Sequence, residues 1–287
     1  MTRFTYIIFA TVLMVALSRP EQPSGSIVQL TFSDHLDTLR YNGYLIIRTD
    51  DSLDSSDHEY SVIILKNDRI VWRLEESVSQ RQNNIAGLIP LLGNRSQQLF
   101  VEQFSGGAHC CWSVWLLDLR DSIHVLYCGA DYPELGGEPD LVDFDNDGSR
   151  EIAQEITLFH YFDMISYAGS PHPTAFFKYS EKADKFVLAN RSFSQLPLKD
   201  ADKRISELKQ LSAAVNRSRN SDATEDLKST MLALVLDYVY SGQGDKGWAL
   251  FDRYYVLTDK VAFKTKVQDA LEKSRVYREL YRRGGGN

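Results

Sequence analysis

Asp143-Phe144-Asp145-Asn146-Asp147-Gly148-Ser149-Arg150-Glu151 puts three carboxylates on alternate positions, a glycine after the third, and a fourth acid three residues beyond the glycine. An ordinary turn needs no such concentration of negative charge. Like charges this close repel, and a divalent cation is the simplest partner that would hold them together. Ca²⁺ takes six to eight oxygens at about 2.3–2.6 Å, and a loop of this composition supplies most of them. Asp143, Asp145, Asp147 and Glu151 would give carboxylate oxygens and Ser149 its backbone carbonyl, while Gly148 allows the sharp turn. The expected cofactor is therefore Ca²⁺, held by Asp143, Asp145, Asp147, Ser149 and Glu151.

The flanks say which kind of calcium loop this is. A helix-loop-helix hand needs a bidentate Glu at loop position 12, and that position is Gln154. Upstream, Pro133-Glu134-Leu135-Gly136-Gly137-Glu138-Pro139 cannot be a helix. Downstream, Glu151 to Leu158 reads as a strand. A strand-loop-strand site of pattern DxDxDGxxE resembles the calcium loops of FG-GAP and VCBS-type repeats, known from β-propellers.

Outward from the loop, residues 27–192 read as short strands. Ile27–Phe32, Tyr44–Arg48, Tyr60–Leu65, Ile70–Leu74, Leu99–Phe104, Trp112–Leu117, Ile123–Tyr127, Glu151–Leu158, Ala175–Tyr179 and Lys185–Leu188 are β-branched or aromatic and bounded by turn residues. Lys66-Asn67-Asp68-Arg69 is a hairpin connection. An internal repeat lies among them: Asn94 to Glu102 aligns with Asp147 to Glu155 at an offset of 53 residues. In the first copy Pro90, Leu92 and Asn94 stand where Asp143, Asp145 and Asp147 stand in the second, which implies one live cation loop and one decayed one. A repeat of this length with several strands has the size of a propeller blade.

From about residue 199 the period becomes helical. Ile205, Leu208, Leu211 and Val215 make one stripe; Leu227, Met231, Leu234, Val235 and Tyr238 make another. Asp222 with Glu225 reads as an N-terminal cap, and Gly242 and Gly244 as a stop. Trp248, Phe251, Tyr254 and Tyr255 mark a third helix, and a fourth runs from Thr258-Asp259 on to Tyr281. The expected fold class is α+β: an antiparallel β-repeat domain, partial propeller-like or a β-meander, over 26–193, then a small α-helical domain over 199–283 and a disordered tail at 284–287.

Charge and the first residues bound the role. The chain carries a formal net charge of −7. Residues 1–198 are acidic, and the small positive surplus behind them is dispersed, which argues against nucleic acid. Arg3, the apolar run Tyr6 to Ala16 and the small residues Ala16 and Ser18 predict a signal peptide over 1–18, cleaved to leave a start at Arg19. No later segment is apolar enough to span a membrane. The expected location is secreted or periplasmic, where a disulfide from Cys128 to Cys110 or Cys111 is expected.

Phe104-Ser105-Gly106-Gly107-Ala108-His109-Cys110-Cys111-Trp112 resembles the SGGAHCC signature of a group of uncharacterised secreted bacterial proteins, and Tyr161 to Pro171 resembles a matching segment of that group. The resemblance covers roughly 85–190. It implies a β-repeat fold with a calcium loop at Asp143, Asp145, Asp147 and Glu151, and it implies no activity. The chain departs from the group in its first loop, where acids common in the group are missing.

Other candidates carry less. His109 and Cys111 share a strand face but make two ligands, short of the three that zinc needs from protein. Glu102 and Glu155, equivalent in the two repeats, would form an acid/base pair only at a specific separation. The sequence thus favours a binding or structural module for a protein or glycan ligand, with no catalytic residue assigned. The alternative is an extracytoplasmic hydrolase with a cleft near Glu102, His109 and Glu155.

Overall fold

The computed structural model describes residues 28–29, 37–48, 60–75, 85–93, 97–104, 112–217 and 221–282. The signal-peptide segment, the SGGAHCC motif with His109, Cys110 and Cys111, and the tail lie outside the described residues. The fold is mixed α+β, with antiparallel strands first and helices after them.

Three sheets hold the strands. The first is the meander β2 (Asp37–Tyr41), β3 (Tyr44–Arg48), β4 (Tyr60–Lys66) and β5 (Arg69–Glu75). The second is β6 (Ile85–Ile89), β7 (Gln98–Phe104), β8 (Trp112–Leu119) and β9 (Ile123–Cys128), with β1 (Val28–Gln29) added beside β6. The third is β10 (Leu135–Val142), β11 (Glu151–Ile156), β12 (Thr174–Ser180) and β13 (Lys185–Leu188). Neighbours in the chain are neighbours in each meander, which short hairpin connections favour.

Alternation decides which faces meet, because successive strand residues point to opposite sides. Leu99, Val101, Leu117 and Leu119 face the first sheet, where Ile46, Val62 and Ile64 are fully buried. Phe100, Val114 and Leu116 face the other way and pack with Ile152, Ile156 and Phe177 of the third sheet. Tyr127 and Tyr132 set their rings 5.0 and 4.9 Å from Phe177 across this interface. The Tyr127 hydroxyl donates to Gln154 Oε1 at 3.0 Å, so the buried polar pair is satisfied. The second sheet is therefore covered on both faces.

The helices are α1 (Ala201–Arg217), α2 (Ser221–Tyr240), α3 (Gly244–Tyr254), α4 (Lys260–Lys273) and α5 (Arg275–Arg282). Leu227, Met231, Leu234, Phe251, Phe263 and Leu271 join the same hydrophobic cluster as the interface between the second and third sheets. No described helix is long and apolar enough to cross a membrane.

Several local expectations are corrected. Strands β2, β6 and β10 were not among those expected. β10 is irregular: its register shifts between Gly136 and Asp140, and Pro139 is tolerated because β10 is an edge strand. The strand from Glu151 ends at Ile156 rather than Leu158. Asp222 lies inside the first turn of α2, and Gly244 starts α3 rather than stopping α2. The expected disulfide is not formed at its described end. Cys128 is a free thiol, opposite Trp115 rather than opposite the first residues of β8.

The fourth expected helix is broken at Ser274, whose backbone is extended. The cause is Glu134, buried in the connection before β10. Its Oε1 accepts from Ser274 Oγ at 2.9 Å and from the Val276 N–H at 2.8 Å. Ser274 Oγ also accepts the Tyr277 N–H at 3.0 Å, capping α5. Ser274→Ala is expected to cost about 0.5–2 kcal/mol, the range for losing such a cap, read as a lower urea midpoint at unchanged slope. An unchanged midpoint would show that the Ser274 cap does not stabilise the fold.

Candidate metal centre

The acidic loop joins β10 to β11 and is wound around its own first aspartate. Asp143 accepts the Asp147 N–H at 3.1 Å on one carboxylate oxygen and the Gly148 N–H at 3.0 Å on the other. Asp147 Oδ1 accepts the Ser149 N–H at 2.8 Å. Gly148 has φ +88°, the left-handed conformation that the turn was expected to need. These bonds turn the chain so that one carboxylate oxygen from each of Asp143, Asp145 and Glu151 lies within 4.8 Å of the others.

Glu151 differs from the rest in being fully buried. Its Oε2 accepts the Phe144 N–H at 2.9 Å, while its Oε1 has no hydrogen-bond partner. Burial pushes its carboxyl above the usual range, against the pull of the Phe144 N–H and of Lys178. Positive charge reaches the loop from β12. Lys178 Nζ contacts Asp145, lies 2.7 Å from Asp147 Oδ2 and lies 3.3 Å from Glu151 Oε1. Burial opposes charge on this amine, but the hydrogen bonds to Asp145 and Asp147 outweigh it and hold Lys178 charged. The hydrogen bond to Lys178 in turn lowers the Asp147 carboxyl. Sequence reading did not single out Lys178; its place opposite the loop follows from the β11–β12 register, which an isolated Lys on a strand does not reveal.

Residues 90–93, after β6, lie directly against the acidic loop. Gln98 Oε1 accepts the Leu91 N–H at 2.9 Å, and Glu151 makes the matching bond to Phe144 at the repeat offset. Gln98 is fully buried, as Glu151 is. Gln98 thus makes with an amide the clasp that Glu151 makes with a carboxylate. The Arg150 N–H donates to Leu91 O at 2.7 Å. Gly93 has φ +68°, and a Cβ there would lie 3.0 Å from Gly148 O. Leu92, Gly93, Asp147, Gly148, Lys178 and Tyr179 line a cavity of about 590 Å³ between the loops.

The residues of the expected cleft separate. Glu102, on β7, is 2 % exposed and lines a cavity of about 240 Å³ with Phe100, Glu138, Pro139, Leu141 and Arg150. Burial, and then the negative charge of Glu138, push its carboxyl up to about 7. Glu155 is on β11 of the other sheet and is not part of that lining; it contacts His160 and His172 instead. Glu102 and Glu155 occupy equivalent repeat positions but not one site, and His109 lies outside the described residues.

No protein-family model, curated protein or solved structure matches this chain.

Proposed function

We propose that this chain is a secreted or periplasmic, calcium-stabilised β-repeat module that binds a protein or glycan, of the FG-GAP/VCBS-like kind. In this reading the three meanders are blade-like units of a partial propeller, and calcium locks the loop between two strands of the third. The observation that carries it is the convergence of Asp143, Asp145 and Glu151, one carboxylate oxygen of each lying within 4.8 Å of the others. The single positive charge of Lys178 is shared among Asp145, Asp147 and Glu151 and does not balance them. Oxygen donors alone suit a hard cation such as Ca²⁺ better than a transition metal. The cavity between the two loops, walled by Tyr179, is where the ligand would seat.

Glu151→Gln tests the reading, because Gln98 shows that an amide fits the same clasp. The variant is expected to fold and to bind calcium about tenfold or more weakly, since affinity in such loops follows ligand charge. Calorimetry with Ca²⁺ decides it. Equal affinity in the variant, or no heat from the parent chain, would sink the proposal.

A second reading, an extracytoplasmic hydrolase, has one observation in its favour. A carboxyl pushed to about 7 in a cavity, as for Glu102, suits a general acid at neutral pH. Turnover in a screen of glycans, esters and peptides, lost in Glu102→Gln, would favour it over the binding module.

A further inference from the structure

We propose that Glu155, His160 and His172 form a binding site for a divalent transition metal of the zinc class, separate from the acidic loop. Glu155 sits near the end of β11, four residues from Glu151 and thus about 13 Å along the strand. The chain leaves the sheet after Ile156 and returns at Thr174, which pairs with Glu155. This excursion carries His160 at its start and His172 at its end, so the topology returns both imidazoles to one carboxylate.

The donors converge. His160 Nε2 lies 2.7 Å from Glu155 Oε1, and His172 Nδ1 contacts the same oxygen. One donor atom from each residue lies within 4.8 Å of the other two. Zinc bonds of about 2.0–2.1 Å place tetrahedral donors about 3.4 Å apart. The His160 contact must therefore lengthen by about 0.7 Å and the His172 contact by more, which a half-exposed His172 permits.

The rings are held by packing. Tyr167 meets His160 edge-on at 5.2 Å and His172 at 5.5 Å, and the two imidazoles lie 5.1 Å apart. The excursion is fixed at its tip. Asp163 pairs with Lys228 of α2 at 2.7 Å and with Lys266 of α4, and Ser170 Oγ accepts the Tyr161 N–H at 2.9 Å. Ligands on a braced segment lose little freedom when a metal arrives.

Chemistry chooses the metal class. Two imidazoles with one carboxylate suit zinc and its neighbours, whereas calcium takes oxygen. The site has an inner and an outer side: the His160 side chain is 9 % exposed and that of His172 is 44 %. Three protein donors with one side open to solvent leave a fourth position for water or a ligand, the stoichiometry of catalytic rather than structural zinc.

The test uses the untagged full chain saturated with calcium and titrated with Zn²⁺ by calorimetry, with Co²⁺ as an optical probe. One Zn²⁺ should bind with a Kd of about 1 µM or tighter. His172→Ala and His160→Gln should each weaken it by about tenfold or more, while Asp145→Ala should leave it unchanged. The Co²⁺ form should show the visible absorption of a four-coordinate site. Melting curves establish that the variants are folded; should His160→Gln fail, half-exposed His172 and the parent Co²⁺ spectrum still decide. Absence of Zn²⁺ uptake, equal uptake in His172→Ala, or loss of uptake in Asp145→Ala would each overturn the proposal and leave two imidazoles hydrogen-bonded to a carboxylate.

Discussion

The chain in saturating calcium is expected to melt about 5–10 °C above the same chain in chelator. A cation that binds only the folded state stabilises it by about 2.7 kcal/mol at a hundred times its dissociation constant. For a chain of this size each kcal/mol moves the midpoint by about 2–4 °C. Asp145→Ala should close the gap, because it removes one of the three carboxylates that converge while leaving the Asp143 and Glu151 clasps in place. Lys178 sets the size of the effect. Its ammonium touches Asp145, Asp147 and Glu151, so calcium has to displace it and gains only the difference. Lys178→Met should therefore lower the melting temperature in chelator and widen the gap. Coincident curves in calcium and chelator for the parent chain, with no heat of binding, would remove the calcium reading.

The acidic loop was legible because its spacing is local: alternate acids and a glycine fix the turn whatever surrounds them. The match at an offset of 53 residues is local too, and Gln98 and Glu151 make corresponding clasps at that offset. What escaped was set at a distance or masked by composition. Gly136, Gly137 and Pro139 read as loop, yet β10 keeps its place by pairing with β11 on both sides of its register shift. β2 is polar at three of its five positions, and only the Asn42-Gly43 hairpin turn that joins it to β3 marks it as a strand. The break at Ser274 depends on Glu134, a residue that helical periodicity does not include. Glu155 was singled out, but the repeat paired it with Glu102. The third sheet uses it with two histidines spread over an irregular excursion, and no short motif has that spacing.

Between pH 5 and 8 the fold is expected to lose stability as pH rises, opposite to the behaviour of a chain dominated by ion-paired carboxylates. Glu102 is the main cause. Burial and the charge of Glu138 raise its carboxyl from 4.5 to about 7. Across that window the native chain keeps a proton that the unfolded chain has released, so stability falls until pH passes 7 and then levels. One pKa unit is worth about 1.4 kcal/mol, which makes the full loss roughly 3 kcal/mol. Asp237 on α2 adds to the same slope. Burial pushes its carboxyl up to about 7 although Arg204 lies 3.1 Å away. Asp147 and Asp163 have the opposite sign, but their carboxyls are lowered from 3.8, so their contribution is lost only at more acid pH. Glu102→Gln should raise stability at pH 8 by about 2–3 kcal/mol, change it little at pH 5, and flatten most of the slope. Urea midpoints at pH 5, 6, 7 and 8 measure this. A parent chain that gains stability over the range, or a variant with the parent's slope, would mean that Glu102 is ionised in the fold, and would remove the one observation favouring a general acid in its cavity.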